Sequence, residues 1–154
     1  KGQRANYDHL LQQTVYYFVS SMDKREPSHP WKYQLEWRYR QEVQKLLDRA
    51  REEGKEVPQD MTVDSFLAMV GEERAKAELE GRIPHMLPPY KGMPAVARKR
   101  ALRWLGQKFL QYIWDEWRRF EGLKPSEHPV FPIIPTLLPT SGPTSDTAGH
   151  EWIQ

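Results

Sequence analysis

Prolines divide this chain into segments, and their positions constrain its fold more than any other feature. Proline lacks a backbone N–H and breaks a helix interior, so helices must fit between the prolines. Residues 82–93 and 125–143 hold most of the 13 prolines, and the stretches outside them are largely proline-free. In those stretches apolar residues recur every three or four positions, which predicts amphipathic helices. The sequence therefore predicts an all-α protein of four to five helices, with a proline-rich connector and a long extended C-terminal tail.

Two helices are predicted in the first third of the chain. The first spans about residues 6–22, and the second starts after a Ser28 cap and stops at Gly54. We expect Glu36 and Arg40 to form an ion pair on the polar face of the second helix, because they are four residues apart. Its apolar face is predicted to consist of Trp31, Leu35, Tyr39, Val43, Leu46, Leu47 and Ala50.

Two further helices are predicted after the loop that contains Pro58. Thr62 is a suitable cap for the third helix. Gly71 is expected to interrupt this helix, and residues 72–80 either continue it or form a second short helix. The longest helix spans about residues 94–121. The inner face of this last helix is predicted to consist of Leu102, Leu105, Phe109, Tyr112, Ile113, Glu116 and Phe120. We divide the chain into a helical domain, 1–124, and an extended proline-rich tail, 125–154.

The residue patterns that carry catalysis are missing from this sequence. There is no cysteine, which excludes disulfides, a cysteine nucleophile and thiolate metal sites. The five histidines are scattered, and no glycine-rich phosphate-binding motif is present. We therefore predict no catalytic site, no cofactor, no metal and no small-molecule substrate. A small helical enzyme is kept as a third, less favoured hypothesis.

Charge is strongly segregated along the chain. Residues 51–80 carry a net charge of −5, whereas residues 93–124 carry +5. Within the basic region, Arg98, Lys99, Arg100 and Arg103 form a basic cluster at the start of the last helix, where they oppose the positive end of the helix dipole. This placement predicts an anionic partner, with RNA phosphates, an acidic protein surface and anionic lipid headgroups as the candidates. The alternative is that the cluster docks on the acidic third helix of the same chain.

Aromatic and apolar residues exceed what one small core needs. Tryptophans and tyrosines occupy more than one face of the second and last helices, which is typical of a core combined with a protein interface. The tail interleaves prolines with large apolar residues and cannot form a core alone. It is predicted either to fold back over its own helices or to clamp a neighbouring subunit, and we favour the clamp. The predicted clamp residues are Phe131, Ile133, Ile134, Leu137, Leu138 and Trp152.

Together these features favour a structural role over a catalytic one. The chain starts at Lys1, which suits a processed organelle-imported protein, and no segment is apolar enough to span a membrane. We expect a non-catalytic accessory (supernumerary) subunit that binds other protein subunits in a mitochondrial respiratory-chain or ATP synthase complex, in the matrix or at the inner membrane. The alternative is a mitochondrial ribosomal protein that contacts rRNA through the basic cluster.

Overall fold

The computed structural model describes residues 9–126, and this part of the chain contains four α-helices and no β-strand. They are α1 (His9–Asp23), α2 (Pro30–Glu52), α3 (Val63–Leu79) and α4 (Met93–Phe120). The predicted all-α class is confirmed. The predicted tail clamp, including Trp152, lies outside the described residues.

Local chemistry sets the ends of these helices, in part as predicted. The Thr62 side chain accepts a hydrogen bond from the Ser65 backbone N–H at 3.1 Å, so the predicted cap of α3 is confirmed. The cap of α2 is His29 and not Ser28, since the His29 ring accepts from the Trp31 N–H at 3.3 Å. Gly71 does not interrupt α3, so the alternative in which residues 72–80 continue the helix is confirmed. A glycine costs a helix only about 1 kcal/mol relative to alanine.

The second helix forms the centre of the fold. It runs antiparallel to α4: Trp31 contacts Tyr112 at one end of the pair, and Trp37 contacts Trp104 further along. Its predicted apolar face is confirmed, since five of the seven residues are buried and the other two are partly buried. The buried five are Leu35, Tyr39, Val43, Leu47 and Ala50.

Small residues let α4 approach its neighbours closely. Ala97, Ala101 and Leu105 are fully buried and face the core. Gly106 faces α1: a β-carbon at this position would lie 2.9 Å from Val15 Cγ1, closer than real side chains pack. The first helix therefore lies directly against the backbone of α4, and the absence of a side chain at Gly106 permits this contact.

Candidate interaction surfaces

Arg98, the first residue of the basic cluster, points into the fold. Its guanidinium donates to Glu36 Oε1 at 3.0 Å, forms an ion pair with Asp23 and lies 5.6 Å from the centre of the Tyr39 ring. Burial lowers the pKa of Arg98 and raises the pKa of the Tyr39 hydroxyl. Arg98 thus connects the start of α4 to α2 and to the end of α1.

The remaining basic side chains divide into one that is paired and two that face solvent. Arg100 lies 3.6 Å from Glu42, a carboxylate in α2 that is only 3% exposed. Lys99 and Arg103 are exposed, and neither has an ion pair or hydrogen bond within residues 9–126. The ion pairs of the cluster therefore join α4 to α2 and to the end of α1. Within residues 9–126 no ion pair links the cluster to the acidic third helix, which the sequence suggested as the internal alternative.

Glu42 is a charged residue of α2 that is almost fully buried. Its carboxylate also pairs with Arg38 at 2.8 Å and with Lys45 at 3.3 Å. Three cations thus surround one buried carboxylate, which offsets the cost of removing it from water. The pairing of Arg100 makes this part of the basic cluster structural.

Aromatic side chains from α1, α2 and α4 pack against one another. The rings of Phe18 in α1 and Phe109 in α4 stack with centres 3.6 Å apart. Trp31 in α2 meets both rings edge-on, at 5.3 Å and 6.1 Å. Edge-to-face and stacked geometries are the favourable ones for aromatic pairs. These three aromatic side chains therefore stabilise the packing of α1, α2 and α4 against one another.

The last two turns of α4 carry large aromatic side chains into solvent. Trp114 and Trp117 are 49% and 51% exposed, and their ring centres are 5.3 Å apart. Phe120 is 87% exposed, and Ile113 is 45% exposed. The inner face predicted for this part of α4 is therefore wrong. Because Trp31, at the start of α2, already contacts Tyr112, the rest of α4 extends past α2 and has no described helix to bury this face.

Exposed apolar residues of α1 lie at the same end of the molecule. The first helix runs antiparallel to α4, since Asp23 pairs with Arg98 and Val15 lies against Gly106. Its first turn is thus directed toward the last turns of α4, and there Leu10 and Leu11 are 72% and 48% exposed. We call this surface the aromatic end. It consists of Leu10, Leu11, Ile113, Trp114, Trp117 and Phe120.

The chain reverses direction directly after α4. Gly122 has a φ of +72°, and the Leu123 N–H donates to the Arg118 carbonyl at 2.7 Å. Ser126 then returns to α4, where its N–H and hydroxyl donate to the two oxygens of Asp115 at 3.0 and 2.8 Å. These two bonds lower the pKa of Asp115, which is only 2% exposed. Sequence reasoning missed Asp115, because no periodic pattern relates it to a serine eleven residues away.

The connector between α3 and α4 is fastened by Glu73. The Arg82 guanidinium donates to both carboxylate oxygens, at 2.6 and 3.3 Å, and the His85 N–H donates at 2.8 Å. Beside this anchor lies a cavity of about 500 Å³, whose lining includes Arg74, Lys91 and Arg98. The connector is therefore held against α3 by charge-assisted hydrogen bonds.

This anchor predicts a defined response to acid. The bonds from Arg82 and the His85 N–H lower the pKa of Glu73 to about 2, whereas an unfolded glutamate titrates near ~4.3. A lowered pKa in the folded state contributes stability above the unfolded value, and that stability disappears as the pH falls from about 4 to 2. We expect Glu73→Gln to be less stable than the wild type at pH 6, with the difference vanishing over this window. Denaturant unfolding at a series of pH values measures it.

Glu72→Gln is the matched control for that experiment. It makes the same charge change at the neighbouring position, where the side chain is exposed. An equal pH-dependent loss in both variants would show that overall charge, and not the Glu73 anchor, causes the effect.

Comparison with other proteins adds no relative. No protein-family model, no curated protein and no solved structure matches the chain. Within residues 9–126, no helix combines the length and the apolar character needed to cross a membrane. In the same part of the chain, no three histidine or acidic side chains are placed to hold a metal ion.

Proposed function

We propose that the protein is a non-catalytic accessory subunit of a large multi-subunit assembly and that it docks through the aromatic end. The observation that carries this proposal is the exposed Trp114–Trp117 pair, with Phe120 beside it. Tryptophan and tyrosine are enriched among the residues that dominate binding energy in protein interfaces. Large apolar side chains that are exposed together at one end of a small domain are typical of a partner-binding site.

The basic cluster supports a protein partner more than an RNA partner. Arg98 and Arg100 pair with carboxylates of their own chain, which leaves Lys99 and Arg103 as the solvent-facing cations of the cluster. Non-specific RNA affinity rises with the number of phosphates neutralised, so two cations supply little. A mitochondrial respiratory-chain or ATP synthase complex is our proposed assembly, and an rRNA-binding ribosomal protein is the alternative. Lipid headgroups remain candidate partners of Lys99 and Arg103.

Co-purification of the tagged full-length protein tests the docking surface. We expect Trp114→Ala combined with Trp117→Ala to reduce the recovered complex by more than 10-fold, because an interface tryptophan contributes about 2 kcal/mol or more. The recovered subunits are identified by mass spectrometry and must migrate as one complex on a native gel. Recovery that is lost after nuclease treatment would instead favour the ribosomal alternative.

Leu79→Ala combined with Ile83→Ala is the matched control. These side chains are 90% and 87% exposed, but they lie at the end of α3 and in the connector, away from the aromatic end. Both double variants should unfold at the wild-type temperature, since exposed side chains contribute little to stability. Equal recovery of the complex with both double variants would refute docking through the aromatic end.

A further inference from the structure

Tryptophans lie along the seam between α2 and α4, and we call the surface formed there by Trp37, Arg38, Trp104 and Lys108 the α2–α4 groove. The rings of Trp37 and Trp104 lie across it with centres 5.9 Å apart, and Trp37 is 39% exposed. The Arg38 guanidinium and the Lys108 ammonium lie 5.5 and 5.8 Å from the centre of the Trp104 ring. This groove is separate from the aromatic end, and it combines flat apolar rings with cationic hydrogen-bond donors.

Two buried donors on the α2 side of the groove lack acceptors. Gln34 is 4% exposed, and its Nε2 has no hydrogen-bond partner within residues 9–126; the same is true of the buried Nε of Arg38. Gln34, Trp37 and Arg38 are three and four residues apart, so they share one face of α2. A buried donor without a partner has lost its hydrogen bonds to water and is costly, so an acceptor is expected at this place.

The last described residues run back along α4 in the direction of the groove. The Lys124 carbonyl accepts from Arg118 Nε at 2.7 Å, and Ser126 bonds to Asp115, so the chain runs back along α4 toward its start. Asp115 belongs to a stripe on one face of α4 that leads to the groove. Its members are four, three and four residues apart along the helix. The stripe comprises Asp115, Gln111, Lys108 and Trp104.

The sequence that follows Ser126 has the period of a polyproline II helix. Such a helix has three residues per turn, so Pro129, Pro132 and Pro135 fall along one edge. Phe131 and Ile134 fall along a second edge. Prolines offer carbonyl acceptors without N–H donors, which complements the two unpaired donors, Gln34 Nε2 and Arg38 Nε. Aromatic-lined grooves are a recurring binding site for polyproline II segments.

We propose that the α2–α4 groove binds residues 129–138 of the chain's own tail. The distance along α4 from Asp115 to Trp104 matches the reach of the tail segment. These two residues are eleven helical residues apart, about 17 Å at 1.5 Å per residue. A polyproline II segment that starts at Ser126 covers this distance in about five residues, which places Phe131 and Pro132 at the Trp104 ring. The inference does not rest on the proposed function. It favours the internal arrangement over the clamp on a neighbouring subunit.

Disulfide cross-linking in the full-length protein tests the arrangement, because the natural chain has no cysteine. Lys108 lies seven helical residues from Asp115, about 10 Å, so it should face residues 129–130. We expect Lys108→Cys with Val130→Cys to form an intramolecular disulfide at least 10-fold faster than Lys76→Cys with Val130→Cys. Lys76 is an exposed residue of α3 beside the connector. Equal rates for the two pairs would overturn the proposal.

Thermal unfolding of the isolated full-length protein gives a second readout. Phe131→Ala with Ile134→Ala should lower the melting temperature by about 5 °C or more if these side chains pack on their own domain. Trp152→Ala, outside the proposed segment, is the control and should leave it unchanged. A tail that binds only a neighbouring subunit predicts no change for either variant of the isolated chain, and that result would also overturn the proposal.

Discussion

Replacing Phe66 with alanine is expected to lower the free energy of unfolding by about 3–5 kcal/mol. Phe66 in α3 is fully buried, and its ring centre lies 5.8 Å from that of Tyr90 in the connector. The substitution removes apolar surface from the core and leaves a cavity that the surrounding helices fill only partly. Since total stabilities of small domains are about 5–15 kcal/mol, this variant should be close to unfolding at 37 °C. Denaturant titration followed by circular dichroism measures the loss.

Phe120→Ala is the matched control for Phe66→Ala. It makes the same chemical change at a phenylalanine that is 87% exposed, on the last turn of α4. It should change the free energy of unfolding by less than about 0.5 kcal/mol. Comparable losses in the two variants would contradict the arrangement in which α3 faces the core and the end of α4 faces solvent.

Replacing Gly106 with leucine is expected to displace α1 from α4 and to cost about 2 kcal/mol or more. The new β-carbon would lie 2.9 Å from Val15 Cγ1 and 3.7 Å from Val19 Cγ2. Valine side chains are restricted to one χ1 rotamer in a helix, so Val15 cannot rotate away, and overpacking typically costs 1–3 kcal/mol. Hydrogen exchange should show faster exchange in α1 while α2 and α3 keep their protection.

Gly71→Leu is the control for that substitution. Gly71 is also inside a helix, but no atom lies within 4 Å of a β-carbon built there. Leucine has the higher helix propensity, so this variant should gain about 0.8 kcal/mol or slightly less. The two glycine substitutions are thus expected to have opposite signs. A gain in both would show that α1 does not pack against the α4 backbone at Gly106.

The central helix could be predicted from the sequence because one stripe of side chains decides its orientation. The repeat from Leu35 to Ala50 is buried on a single face, and α4 covers much of it. The last turns of α4 follow the same rule in sequence, yet Ile113 and Phe120 are exposed. Periodicity indicates which side chains share a face. It does not indicate how far a neighbouring helix extends, and here α2 begins beside Tyr112.

Ion pairs were the least predictable part of the candidate surfaces. Spacing along α2 predicted that Glu36 would pair with Arg40, but Glu36 pairs with Lys32 and Arg98, and Arg40 pairs with Asp64. This prediction was wrong because charges from α3 and α4 compete for the same groups. An isolated pair four residues apart is worth only about 0.2–0.5 kcal/mol, so tertiary contacts readily replace it. The partner roles of the basic cluster and of the tail stay predictions.

The ring contacts among Phe18, Trp31 and Phe109 affect how the chain folds during synthesis on the ribosome. Phe109 stacks on Phe18 and meets Trp31 edge-on. Trp31, the later of these two partners, emerges roughly 80 residues before Phe109. At about 5–20 residues per second, that interval lasts roughly 4–16 seconds. During this time α1 and α2 present their apolar faces without the helix that covers them. We therefore expect chaperones that hold exposed apolar helices to bind the nascent chain until α4 has been made.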